Sequence, residues 1–250
     1  MRIKPDWPIA LAVFIAYNAV IFVTWHLVGA DYRDLVSAPV AWKSLVLPLA
    51  IGAVFMTAAV TALGWWGPAM AERSRSGPRW AFWATVVAML AMFVAEATGI
   101  RWTSLAPPHL IMLIIAGLLV GFNEELAARG VLVVGLRGAT ARETWVWFWS
   151  LLMFGAAHVA NILSGLPWYG GLIQGVFAFL TGTGFYVLRR TSGTLLLPMA
   201  AHALWDFLSF GVQATSAPAG PALSMLPVVF LVSLVALAAV LRHQLQKAPT

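Results

Sequence analysis

The chain contains no cysteine. Disulfides, thiolate nucleophiles and cysteine-ligated zinc are therefore excluded. Charge is scarce as well: 10% of the 250 residues are Asp, Glu, Lys or Arg, against about 25% in a soluble domain. No linker is long enough to separate two soluble domains, and no internal repeat or low-complexity tract is visible. The His-Glu-x-x-His zinc-peptidase signature is missing. What fills the chain is apolar: 61% of residues are hydrophobic, with 13 Trp and 14 Phe. A water-facing fold of this length cannot hide so much apolar surface, so the bilayer must be its solvent. The net charge of +6 is spread between apolar runs, which argues against nucleic-acid binding and for a topological role.

Eight apolar segments are expected, at about 8–28, 44–65, 80–98, 108–134, 144–163, 169–188, 194–212 and 222–241. Each is near the ~20 residues that span ~30 Å of hydrocarbon. The expected fold is an all-α, polytopic helical bundle forming a single membrane domain over 1–250. Eight spans place both termini on one side. With that side cytoplasmic, Arg2, Lys4, Arg73, Arg75, Arg79, Arg137, Arg142, Arg189, Arg190, Arg242 and Lys247 lie inside. Only Arg33, Lys43 and Arg101 lie outside. The asymmetry fits the positive-inside rule. Arg2 and Lys4 ahead of an apolar run also resemble a signal peptide. The run is longer than the usual h-region of about 7–15 residues, so a retained helix is expected.

A charge at the centre of a bilayer costs about 2.5–3.5 kcal/mol even on lenient scales. Lys43, Glu72, Arg101, Glu143 and Arg189 fall at span ends, where snorkelling suffices. His26 and His109 lie near span ends and His243 beyond the last span, so all three are read as interfacial. Glu96, near the outer end of its span, is compatible with either position. The deep set is Glu124, Glu125, Arg129, His158, His202 and Asp206, on the fourth, fifth and seventh segments. Six polar groups on three helices are easiest to accommodate around one hydrated cavity.

Glu125 and Arg129 are four apart and share a helix face, acid first. Glu124 lies about 140° around the helix from Arg129, so it is left free as a candidate general base. Two carboxylates clamping Arg129 as pure packing is the bland alternative. His202 and Asp206 also share a face, and Phe154 lies one turn before His158. Gly117, Gly121, Gly155, Gly171, Gly175, Gly182 and Gly184 suit close helix approach. Pro198, four before His202, is expected to bend the seventh helix. With these boundaries His158 sits toward the outer side of Glu124 and His202, so tilt or a longer helix must bring it level.

Amide hydrolysis needs a base for water and donors for the developing oxyanion. With no cysteine, and Ser164-Gly165 near a span end, water is the expected nucleophile. Glu124, His158 and His202 are also candidate ligands for a divalent metal such as zinc, with an open fourth position. A metal-free base is equally compatible with the sequence. Intramembrane Glu, His and Asp also build proton relays and ion sites, so a transporter is an alternative, as is a non-catalytic scaffold or immunity protein.

Three strings stand in order: Glu124-Glu125-Leu126-Ala127-Ala128-Arg129, Phe154-Gly155-Ala156-Ala157-His158 and His202-Ala203-Leu204-Trp205-Asp206. Together with Gly130 and Ser192-Gly193-Thr194-Leu195, they resemble the CAAX prenyl protease and bacteriocin-processing (CPBP, or Abi) family of intramembrane proteases. The resemblance covers about 108–210, the expected catalytic core. It implies that Glu124 and His158 activate water, that His202 and Asp206 stabilise the oxyanion, and that Glu125 and Arg129 support the helix. Family members often carry Asn at the last position, so Asp206 is expected to be protonated or to act through His202. The implied substrate is a membrane-associated peptide or protein, lipidated in CAAX-type members. The compact size suggests a bacterial inner membrane.

Overall fold

The computed structural model describes residues 2–216 and 220–247. A backbone in hydrocarbon has no partner but itself, and helices satisfy it within one segment. The described residues accordingly form helices, with one isolated bridge between Ala71 and Thr194. They are α1 (Trp7–Val28), α2 (Leu47–Leu63), the short α3 (Trp66–Met70), α4 (Arg79–Gly99) and α5 (Pro107–Glu125). Then come α6 (Val133–Ala139), α7 (Glu143–Val159), α8 (Trp168–Ser192), α9 (Leu196–Ala214) and α10 (Gly220–Lys247). A π-helical turn, Leu126–Leu132, joins α5 to α6, so Pro107–Ala139 is one continuous rod of 33 residues.

Local chemistry sets the ends. The Asp6 side chain caps α1 by accepting from the Trp7 amide at 2.8 Å. The paired prolines Pro107 and Pro108 open α5, where a missing N–H costs nothing. Gly193 closes α8 at φ +83, a left-handed position that glycine takes without strain.

Seven helices are long and apolar enough to cross a membrane. Leu196–Ala214 is not among them, although its 19 residues are long enough. His202, Asp206 and Gln213 lower its apolarity, and it is the helix packed most closely on the rod Pro107–Ala139. The expected seventh span is thus of spanning length but less apolar than the other seven. Pro198 does not bend it. The residue falls in the first turn, where no intrahelical bond is lost.

Helix α9 lies along α5, α7 along α8, and α10 against both α4 and α8. Glycines set these distances. A Cβ on Gly121 would meet the Met199 carbonyl oxygen at 2.3 Å, and one on Gly155 would meet that of Gly175 at 2.7 Å.

Some end-of-span charges do not snorkel. Glu72, in the connection after α3, lies beside the C-terminal end of α8. Arg189 is fully buried, with Nε donating to Glu72 Oε1 at 2.6 Å and Nη2 to the Pro68 carbonyl at 3.0 Å. Arg190 also pairs with Glu72, and Arg137 bridges Glu72 (3.0 Å) to Glu143, which Tyr186 bonds as well. Burial works to raise the Glu72 carboxyl, but the Arg189, Arg137 and Arg190 guanidiniums outweigh it and hold its pKa below the ordinary value. These charges are tied to one another because the connection folds back over them. His109, near the start of α5, is likewise buried, with Nε2 2.8 Å from the Val36 carbonyl oxygen.

Candidate active site

The longer rod resolves the question of level. Its C-terminal end is Ala139, not a residue near 134, so Glu124 lies 139 − 124 = 15 residues from that end. His158 lies 158 − 143 = 15 residues from the start of α7. Two antiparallel helices joined by a tight turn therefore hold these residues at the same depth. Both rings contact the same acid atom: His158 Nε2 and His202 Nε2 are each 3.8 Å from Glu124 Oε2.

Glu124 and Glu125 are the last two residues of α5 before the π turn, a feature often found at functional sites. The two acids face different ways. Glu125 is fully buried, and its Oε1 accepts from Arg129 Nη1 at 2.9 Å and from His202 Nδ1 at 2.8 Å. Arg129 is also fully buried, its guanidinium carbon 4.0 Å from the centre of the Phe154 ring and 5.6 Å from that of Phe185. The rings offer their π faces to a cation that has no water. Gly182 makes room for it: a Cβ there would stand 2.1 Å from Arg129 Nη2. Glu124 retains about a quarter of its side-chain exposure, and its Oε2 has no hydrogen-bond partner.

His158 Nδ1 lies 2.9 Å from the Phe154 carbonyl oxygen. A carbonyl only accepts, so this nitrogen carries the proton. In its neutral form the ring presents a lone pair at Nε2 toward Glu124. Phe154 meets the ring edge-on, with centroids 4.6 Å apart. His202 is clasped differently. With Nδ1 on Glu125, its Nε2 lies 2.9 Å from Asp206 Oδ2. Phe185 stacks on the ring, 4.6 Å away and tilted 23°.

Two cavities meet here, about 840 and 1140 Å³ including their open mouths. The first lies against α1, α2, α5 and α7, with Tyr17, Ile21 and Leu49 in its wall; the second lies against α4, α8, α9 and α10. They share Tyr32, Phe154, His158, Gln174, Asp206 and Phe210. Tyr32, Gln174 and Asn161 form a neutral chain at this junction: Asn161 Nδ2 donates to Gln174 Oε1 at 2.9 Å, and Gln174 donates to the Tyr32 hydroxyl.

All six residues singled out from the sequence lie in this one cluster. Glu124, His158, His202 and Asp206 reach a cavity wall, while Glu125 and Arg129 stand behind it. The pattern of ionisable residues does not reveal Phe185, Tyr32, Asn161 or Gln174. The last two carry a signal all the same: they are amides near or within apolar segments. Among the described residues, no group of three or more His, Asp or Glu is placed to hold a metal. His202 faces carboxylates from both nitrogens. As arranged, these residues do not fit a three-ligand zinc site.

Fold and site together define a polytopic helical membrane protein with a carboxylate–imidazole centre facing internal cavities. Residues 105–208 match the family model described as type II CAAX prenyl endopeptidase Rce1-like, the family that the three motifs resemble. The match covers α5 through the first two-thirds of α9 and supports a membrane protease. No curated protein and no solved structure matches the chain.

Proposed function

We propose that the chain is an intramembrane endopeptidase that hydrolyses a peptide bond of a membrane-associated substrate with water activated by Glu124 and His158. The observation that carries this reading is the shared 3.8 Å spacing of Glu124 Oε2 from both imidazoles. That distance is too long for a hydrogen bond and suits a water held between the groups.

In the proposed reaction, the Glu124 carboxylate takes a proton from the water, which is also hydrogen-bonded to the His158 Nε2 lone pair. The oxygen attacks the carbonyl carbon, and the carbonyl electron pair moves onto its oxygen. Collapse of this intermediate breaks the C–N bond, and the proton on Glu124 passes to the departing nitrogen. The products are a carboxylate and an amine. A base of this kind contributes about 10²–10⁴-fold.

Stabilising the oxyanion falls to His202. Its Nδ1–H is engaged by Glu125, so the proton that an imidazolium carries on Nε2, shared between Asp206 and the cavity, is the donor offered to the oxyanion. The Asp206 charge is set against His202 and not against the oxyanion. Arg129 and Glu125 fix His202 from behind. We place the protein in the membrane with both termini cytoplasmic, from the distribution of Arg and Lys.

The test is cleavage of a membrane-anchored reporter by the purified protein in liposomes. Glu124→Gln and His158→Ala are expected to remain folded and to lose turnover by at least about 10²-fold. Retained proteolysis in Glu124→Gln would rule out the water-activating role. Ion flux abolished by the same change would instead favour a transporter.

A further inference from the structure

The second cavity contains a carboxyl group that the proposed chemistry does not use. Glu96 sits near the outer end of α4 and is 5% exposed. Its Oε1 accepts from Ser209 Oγ at 2.9 Å, while its Oε2 has no partner among the described residues. Around it the wall is apolar, with Met92, Phe177, Trp205 and Leu226. A buried carboxylate with an unsatisfied oxygen is costly unless something pairs with it. Ser209 lies three residues after Asp206 on α9, about one helical turn along the axis. Glu96 is thus held close to the reacting centre, within reach of a neighbouring residue of a bound peptide.

Charge points to the ligand. Among the described residues lining the two cavities there is no Lys or Arg, whereas Glu96, Glu124 and Asp206 all face them. A substrate entering with a free C-terminal carboxylate would meet acids and imidazoles. A substrate carrying a cation would meet complementary charge.

We propose that Glu96, held by Ser209, is a specificity subsite that pairs with a cationic nitrogen of the substrate, a lysine or arginine side chain or an amine, adjacent to the cleaved bond. This rests on the peptidase reading for its biological meaning, but its chemistry is testable without turnover. An ammonium entering the cavity would supply the donor that Oε2 lacks and neutralise the carboxylate at the same moment. The preferred cleavage would then be next to a basic residue.

The experiment uses the full chain in detergent or liposomes and two apolar membrane-anchored peptides, identical except for lysine or norleucine at one position. Binding is measured to Glu124→Gln protein, so that no cleavage intervenes. The lysine peptide is expected to bind at least about tenfold tighter, the scale of one charge-assisted hydrogen bond. That difference should vanish in Glu124→Gln/Glu96→Gln. It should persist in Glu124→Gln/Ser209→Ala, where the carboxylate remains. A purely structural Glu96–Ser209 link predicts no lysine preference in any variant, and that result overturns the proposal, as does a preference that survives Glu96→Gln. Cleavage by the otherwise native chain is read separately. Turnover without lysine preference would remove the subsite and leave the peptidase; Glu96-dependent binding with no turnover would do the reverse.

Discussion

Adjacent residues Glu124 and Glu125 allow the same isosteric change to be made twice with opposite expected results. Glu125→Gln keeps an oxygen near Arg129 Nη1 and His202 Nδ1, now 2.9 and 2.8 Å from it, but removes the negative charge. Arg129 is fully buried and would retain only the Phe154 and Phe185 rings. Breaking a buried ion pair costs about 3–5 kcal/mol, and the retained oxygen places this variant near the lower end. At about 2–4 °C per kcal/mol for a chain of this size, melting should fall by about 6–12 °C. Glu124→Gln removes no hydrogen bond at Oε2, and its side chain is partly exposed. Its melting temperature should match that of the unmodified protein while reporter cleavage is lost. Tryptophan fluorescence melting of both variants, with cleavage measured on the same samples, checks the pair. Equal destabilisation by the two changes would refute the division of roles.

Three further outcomes follow from particular contacts. Gly182→Ala would place a Cβ 2.1 Å from Arg129 Nη2, so a loss of about 1–3 kcal/mol in chemical denaturation is expected from overpacking. Asp206→Asn keeps an acceptor for His202 and adds a donor facing the cavity, so turnover should stay within about tenfold while Asp206→Leu loses it; kcat/KM on one reporter compares them. Glu72 has its folded pKa held below the ordinary 4.5 by three guanidiniums, against the effect of burial. The stability it contributes is therefore fully present above that value and lost as pH falls through the lowered one. Melting measured across acid pH should decline there, and Glu72→Gln should show a lower plateau with less decline.

Sequence made the membrane fold legible because apolar length and charge scarcity are properties of the chain itself. The pairing of Glu125 with Arg129 was equally local, four residues on one helix. Two features were not local. The rod Pro107–Ala139 runs past the expected end near 134 through a π turn, which has no residue signature, and this hid the common depth of Glu124 and His158. Arg189 looked like a snorkelling residue because its position at a helix end is visible in sequence. Its partner Glu72, 117 residues away, is not. The partner of His109 is remote in the same way, the Val36 carbonyl on another segment. The expected bend at Pro198 failed because helix α9 begins at Leu196, leaving the proline within a first turn.

Water as the direct nucleophile is most directly tested by hydrolysis of a reporter in oxygen-18 water containing hydroxylamine, with the products weighed by mass spectrometry. The proposed chemistry predicts one heavy oxygen in the new carboxylate and no hydroxamate, since no acyl group is ever attached to the protein. A hydroxamate product would reveal an acyl-enzyme and contradict the assignment of Glu124 and His158 to water activation.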